Sequence, residues 1–342
     1  MLRLLSLGTG ILLLLAAGAS CASTRGNVYP LPAGYLRQAE LFARLQRLLE
    51  IAPGLAKLHV IGFSGTENLP LYALEIGRKE ASRAALIIGQ HHGDEVLGLE
   101  LSLAWAETLL RGSESDKQIR EILRQWRFWI VPTVNPEAWR VVSAGLLRNK
   151  RKNNRDTDGN GILDLHTDGV DLNRNYPVFW DADLDLPTTH PNYKGSAPAS
   201  EPEIQAVLAL AQRQAFDLAI FYHSSASGAY SEKIFLPALR HGELGLREKH
   251  SALRELALLY ASQLKRDYQK GTYEVGSQPG SRVGNARNYF FHLQGTDAFL
   301  VELGGINSDG ISVIHPPASR RDKILTRHVR ALTRLFHSTL QD

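Results

Sequence analysis

Apolar residues recur at helical spacing from Tyr35 to Ile51, through Leu36, Ala39, Leu41, Phe42, Leu45, Leu48 and Leu49, until Pro53 and Gly54 stop the helix. Leu58–Phe63 and Leu71–Ile76 then predict two strands joined by a polar turn. Ala84–Ile88 is a short, unbroken apolar run, the pattern of a strand covered on both faces. Val96–Leu110 returns to helical periodicity, and Phe128–Val134 is strand-like. Ala199–Ala215 and Ser251–Leu264 are helical. Leu218–Tyr222 and Ala298–Val301 are again buried strands, and Lys323–Leu340 is a closing helix. This alternation predicts an α/β fold: a single domain with a mixed, largely parallel twisted sheet flanked by helices.

The N-terminal stretch follows another pattern. Arg3 precedes the apolar run Ile11–Ala17, and Gly18, Ala19 and Ser20 are small. Residues 1–20 read as an export signal, too short for a convincing membrane span. Cys21, the only cysteine, resembles the acylated lipobox cysteine of bacterial lipoproteins, although Gly18 stands where that pattern prefers Leu. A tether over 21–34 and a catalytic domain over 35–342 follow. The expected location is periplasmic and lipid-anchored, with a secreted product as the alternative.

Composition narrows the chemistry. The 342 residues are 44% hydrophobic and 22% charged, which excludes a disordered chain. A net charge of +4 without a long basic block gives no reason to expect a nucleic-acid partner. One thiol excludes Cys-rich zinc sites, so any metal site must draw on carboxylates and the twelve histidines.

Several such residues follow predicted buried strands. His91, His92 and Glu95 come after Ala84–Ile88, His223 after Leu218–Tyr222, and Glu302 after Ala298–Val301. Ligands of open α/β sheets bind outside the carboxyl ends of the strands, so these positions are expected to share one crevice. His92-x-x-Glu95 can present an imidazole and a carboxylate to one ion, with His223 the natural third ligand. His91 competes with His92 for that role.

Taken in order, His92-x-x-Glu95, Arg151, Asp171-Leu172-Asn173-Arg174-Asn175, Tyr193-Lys194-Gly195, Ser200-Glu201-Pro202-Glu203, His223-Ser224 and Glu302 resemble the zinc carboxypeptidase family, the carboxypeptidase A-like metallopeptidases, from Leu58 to the C-terminal helix. The resemblance implies one Zn²⁺ held by His92, Glu95 and His223. It implies that Asp171 fixes the tautomer of His92 and that Glu302 is the general base. Arg151 would stabilise the developing oxyanion; the aromatic residue that usually precedes this arginine is absent. Asn173 and Arg174 would hold the terminal carboxylate of a peptide substrate. Ser224 would line the pocket, with Ser225 where animal members often have tyrosine.

Other features bear on substrate and further ions. The family's substrate-capping tyrosine should fall near 273–282, where Tyr273 does not match cleanly. Arg287 lies where the specificity pocket is expected and would favour an acidic released residue, unless it is a surface arginine. His92-Gly93-Asp94-Glu95 is shaded toward cell-wall-peptide amidases, making murein peptides a second substrate class. Asp156, Asp158, Asn160 and Asp164, with Gly161 at the sharp turn, resemble a calcium loop; Thr167 stands at the twelfth position, where a bidentate Glu is expected, and Asp164 or Asp168 would substitute for it. The alternatives to a carboxypeptidase are a murein-peptide amidase or small acyl-amino-acid deacylase, and an inactive lipoprotein that binds peptide termini.

Overall fold

The two unbroken apolar runs and the apolar approach to Glu302 become the central strands of the sheet, as their lack of a polar face requires. The computed structural model describes residues 29–340 except 183–184, 226, 240–242, 268–269, 278–282, 306 and 308–312, and the side chains of 244 and 277. The expected export signal, Cys21 and most of the expected tether therefore lie outside the described residues.

Eight strands form one sheet: β1 Ala56–Phe63, β2 Pro70–Ile76, β3 Arg83–Ile88, β4 Trp126–Val131, β5 Leu218–His223, β6 Lys233–Leu236, β7 Glu274–Ser277 and β8 Asp297–Glu302, in the order β1-β2-β4-β3-β5-β8-β6-β7. The pairings β3/β4, β3/β5, β5/β8 and β6/β7 are parallel, and β1/β2, β2/β4 and β6/β8 antiparallel. The helices are α1 Leu41–Leu49, α2 Val96–Ser115, α3 Lys117–Gln125, α4 Pro136–Ser143, α5 Pro202–Arg213, α6 Arg247–Ser262, α7 Ala286–Leu293 and α8 Ala318–Ser338. Helix α2 lies against β2–β5 and touches α8, which touches α6; α7 covers β5 and β8.

Three differences from the sequence pattern have local causes. Helix α1 starts at Leu41 because residues 35–37 are held elsewhere: Tyr35 Oη donates to Pro316 O and Leu36 N to Glu100 Oε1. Strand β4 ends at Val131, one residue before a proline that cannot donate to the ladder. Helix α4, unmarked by periodicity, is set by its cap, with Asn135 Oδ1 accepting from Ala138 N and Pro136 in the first turn.

Register positions the site. The parallel pairing of β3, β5 and β8 brings Ile88 beside Phe221 and His223 beside Glu302, so three strands end at one level. Helix α2 starts immediately beneath the loop that leaves β3. A Cβ on Gly98 would lie 1.9 Å from Gly89 O, so only glycine permits this approach.

Candidate active site

The loop from Gly89 to Glu95 links the end of β3 to α2 and carries His92 and Glu95; His223 is the last residue of β5. All three side chains are buried. His92 Nδ1 lies 2.8 Å from Glu95 Oε1, His223 Nδ1 2.8 Å from Glu95 Oε2, and the two Nδ1 atoms 3.1 Å apart. Ligand atoms of all three lie within 4.8 Å of one another. His92 Nε2 is 3.0 Å from Asp171 Oδ1, which can only accept while ionised. Neutral His92 therefore carries its proton on Nε2 and turns a bare Nδ1 toward Glu95 and His223. Asp171 is held well below the usual carboxylate range: burial opposes this, but Arg151 and His92 outweigh it.

Two imidazoles and one carboxylate suit a catalytic zinc site, which keeps one position open. The same donors already draw positive charge: Arg151 Nη1 is 3.1 Å from His92 Nδ1 and 3.2 Å from Glu95 Oε1. The other edge of that guanidinium, Nε and Nη2, donates to Asp171 Oδ2. The residues present therefore fit a divalent cation.

Glu302 ends β8 beside His223, with Oε2 buried and without a hydrogen-bond partner. Burial, then the Glu95 charge, pushes it up to about 8. Asn173 follows Asp171 in a short 3₁₀ turn; its Oδ1 accepts from Ala286 N and its Nδ2 lies 3.1 Å from His223 Nε2. It thus braces His223 as well as lining the pocket. Arg174 Nη1 donates to Asn173 O. The Arg174 backbone is pressed by Gly284, where a Cβ would come within 1.8 Å of Arg174 O, at a φ of +53°. Ser224 N donates to Glu95 Oε2.

The trio, Arg151, Asn173, Arg174, Ser224 and Glu302, with Arg287, line one pocket of about 770 Å³. Arg287 is a buried pocket residue on α7, not a surface arginine. Burial and the nearby Arg174 pull its guanidinium down to about 9, against the opposing pull of Glu302. His91 stands outside the cluster. Its Nε2 meets Tyr176 Oη at 2.9 Å, and its ring stacks on His223 at 5.3 Å. Tyr273 is buried against His328 and does not line the pocket. The rest of the segment expected to hold the capping tyrosine is mostly outside the described residues.

In the loop with the calcium pattern, the oxygens that converge belong to Asp156, Asp158 and Asp168. Asp164 is not in that group. Asn160 Oδ1 accepts from Ile162 N, and Asp164 Oδ1 from His166 N and Thr167 N.

Sequence reasoning missed Asn135. Its Nδ2 donates to both His91 O and Arg151 O, at 2.9 and 3.2 Å, tying the loop that carries His92 to the segment that carries Arg151. An Asn-Pro pair signals a helix start, but nothing in it announces this bridge.

Comparison with known proteins places this geometry. The profile of the family described as "Zinc carboxypeptidase" matches residues 42–326. The chain is 28% identical over 214 residues to the carboxypeptidase N catalytic chain of Rattus norvegicus, covering 58% of this chain and 44% of that one. It is 31% identical over 149 residues to carboxypeptidase E of Caenorhabditis elegans, covering 42% of this chain and 30% of that one. The aligned part thus spans less than half the length of either relative. Among solved structures, thrombin-activatable fibrinolysis inhibitor superposes with a TM-score of 0.75 at 22% identity, covering 90% of this chain and 75% of that one. The bovine form, in complex with tick carboxypeptidase inhibitor, gives 0.72 at 21%, covering 90% and 97%. These likenesses establish the fold.

Proposed function

Because the chain belongs to the zinc carboxypeptidase family, we propose that it is a metallocarboxypeptidase that hydrolyses the last peptide bond of peptides with a free C-terminal carboxylate. The observation that carries this reading is the buried His92–Glu95–His223 trio beside Glu302, whose buried Oε2 has no hydrogen-bond partner. Held by that trio, zinc supplies a Lewis acid that polarises a carbonyl and acidifies water.

The chain's own residues do the rest. Asp171 keeps His92 in the ligating tautomer. Glu302 takes a proton from the attacking water and returns it to the leaving amine, and its unpartnered oxygen leaves an acceptor free for both transfers. The Arg151 guanidinium, already drawn toward the trio, donates to the oxygen on which charge develops. Arg174, with Asn173 beside it, anchors the terminal carboxylate and so selects the last bond. The complete donor set beside Glu302 counts against an inactive binding protein. A deacylase or murein-peptide amidase would share the trio; only the His92-Gly93-Asp94-Glu95 pattern leans toward the amidase.

Arg287, buried at the pocket wall, supports a preference for an acidic released residue. Peptides ending in Glu should be cleaved at least about tenfold more efficiently than matched peptides ending in Lys or Phe, the worth of one charge-assisted hydrogen bond. Arg287→Ala should erase the difference. An unaltered preference in that variant would remove Arg287 from the specificity pocket.

Two further readings belong here. The approach of Asp156, Asp158 and Asp168 supports calcium binding in the 156–168 loop. Millimolar calcium should then raise the melting temperature, and an unchanged temperature would count against it. The pattern around Cys21 supports export and acylation. Cys21→Ser should move the protein from the membrane fraction to the soluble one, and unchanged partitioning would contradict the anchor.

A further inference from the structure

Helix α8 carries six arginines and lysines and one carboxylate, an excess larger than the net +4 of the whole chain. Four of them, Lys323, Arg327, Arg330 and Arg334, recur at intervals of four, three and four residues and so fall on one face of the helix. That face borders a groove of about 930 Å³, with Thr108 of α2, Asp116 before α3 and Gln263 after α6 on its other walls. The carboxylates nearby are engaged: Asp322 pairs with Arg321 at 2.8 Å, Asp267 with Arg327 at 2.8 Å, and Asp116 caps α3. Arg334 donates to Gln263 Oε1. Lys323 and Arg330 are exposed and, among the described residues, have no ion pair. Like charges one helical turn apart repel each other, and a surface of opposite sign relieves that repulsion.

The path of the chain says which surface. Tyr35 Oη donates to Pro316 O at 2.7 Å, just before α8. Arg321, in the first turns of α8, donates to Gly34 O and lies over the Tyr35 ring, 4.8 Å from its centre. Residues 34–35 are thus fastened to the start of the helix that carries the stripe. Thirteen residues lead from Cys21 to Gly34, a reach of up to about 45 Å. The 21 residues of α8 span about 32 Å. An acyl group on Cys21 therefore reaches a membrane on which the whole helix lies. The helix also runs away from the pocket. His315, three residues before it, meets Asp94 O at 2.7 Å, whereas Thr339 at its far end accepts from Arg83 at the start of β3 and from Trp126 at the start of β4. A surface laid along the stripe flanks the sheet and leaves the pocket, beyond the strands' carboxyl ends, open to solvent.

We propose that the face formed by Lys323, Arg327, Arg330 and Arg334 docks on an anionic phospholipid surface and orients the protein on its membrane with the pocket mouth free. The choice of a membrane as the partner rests on the acylation reading of Cys21 above. Each Lys or Arg brought to such a surface strengthens binding about fivefold, so the face supplements a lipid anchor without replacing it. At about 0.15 M salt its field reaches only about 8 Å, and the Cys21→Ser protein still leaves the membrane fraction.

The test uses the full chain carrying Cys21→Ser and co-sedimentation with vesicles of phosphatidylcholine, alone or mixed with phosphatidylglycerol, at about 0.01 M salt, where the field extends about 30 Å. Binding should require phosphatidylglycerol and fall at least about tenfold at about 0.15 M salt. Adding Lys323→Gln and Arg330→Gln should weaken it about 25-fold. A matched pair at exposed positions on other elements, Lys57→Gln of β1 and Arg213→Gln of α5, should leave it unchanged, and both pairs should melt like the parent. Equal binding to the two kinds of vesicle would overturn the proposal. So would equal loss in the two pairs, which would leave net charge as the cause. A wild type found in the soluble fraction of cells, together with the predicted vesicle binding, would remove the anchor and keep the docking face. A membrane-bound wild type without a preference for anionic vesicles in the Cys21→Ser chain would remove the face and keep the anchor.

Discussion

Glu302→Gln is expected to lower kcat by roughly 10²–10⁴, the usual contribution of a positioned general base, while zinc content stays unchanged. The substitution preserves shape and leaves His92, Glu95 and His223 in place, but an amide cannot take the proton of water. Burial, then the Glu95 charge, makes an ionised group costly at this position, so a neutral amide there should not lower stability. The informative pair of measurements is single-turnover rate and metal content on the same sample. Wild-type turnover in the variant would mean that another group is the base. Loss of metal together with turnover would place Glu302 among the ligands instead.

His223→Ala should act the other way round, through the metal. It removes one of three donors and leaves Glu95 Oε2 with Ser224 N as its remaining partner. Zinc affinity, read by competition with a chromophoric chelator, should drop by more than the roughly 10–100-fold typical of losing an outer hydrogen-bond partner. Turnover should disappear at any zinc concentration that leaves the variant unloaded. Because a ligand that binds only the folded state stabilises it, the variant should also lose the rise in melting temperature that zinc gives the wild type. Unchanged affinity in His223→Ala would exclude the trio as the zinc site.

The division between what the sequence revealed and what it hid follows the range of the forces involved. Ala84–Ile88, Leu218–Tyr222 and Ala298–Val301 were legible because a strand buried on both faces has no polar position to spare. Their shared carboxyl-end level then predicted that His92, His223 and Glu302 would meet; the β5/β8 register sets His223 beside Glu302, and His92 approaches His223 at 3.1 Å. Helices α3 and α7 were missed because each is short; α3 is marked by Ile119, Ile122 and Leu123 alone, and α7 is buried almost all round, polar residues included. The same limit applies within the site. Arg287 could be placed near the pocket, but its burial depends on α7 lying over β8, which no local pattern encodes. Asn135 was invisible as a site residue because its significance lies in partners, His91 O and Arg151 O, that only the assembled pocket defines.

The most direct test of the whole account is a digest of a defined peptide mixture by the zinc-loaded protein, read by mass spectrometry with and without chelator. The account predicts loss of single residues from C-termini, abolished by chelator and restored by zinc. Internal cleavage, or C-terminal trimming that survives complete metal removal, would contradict it.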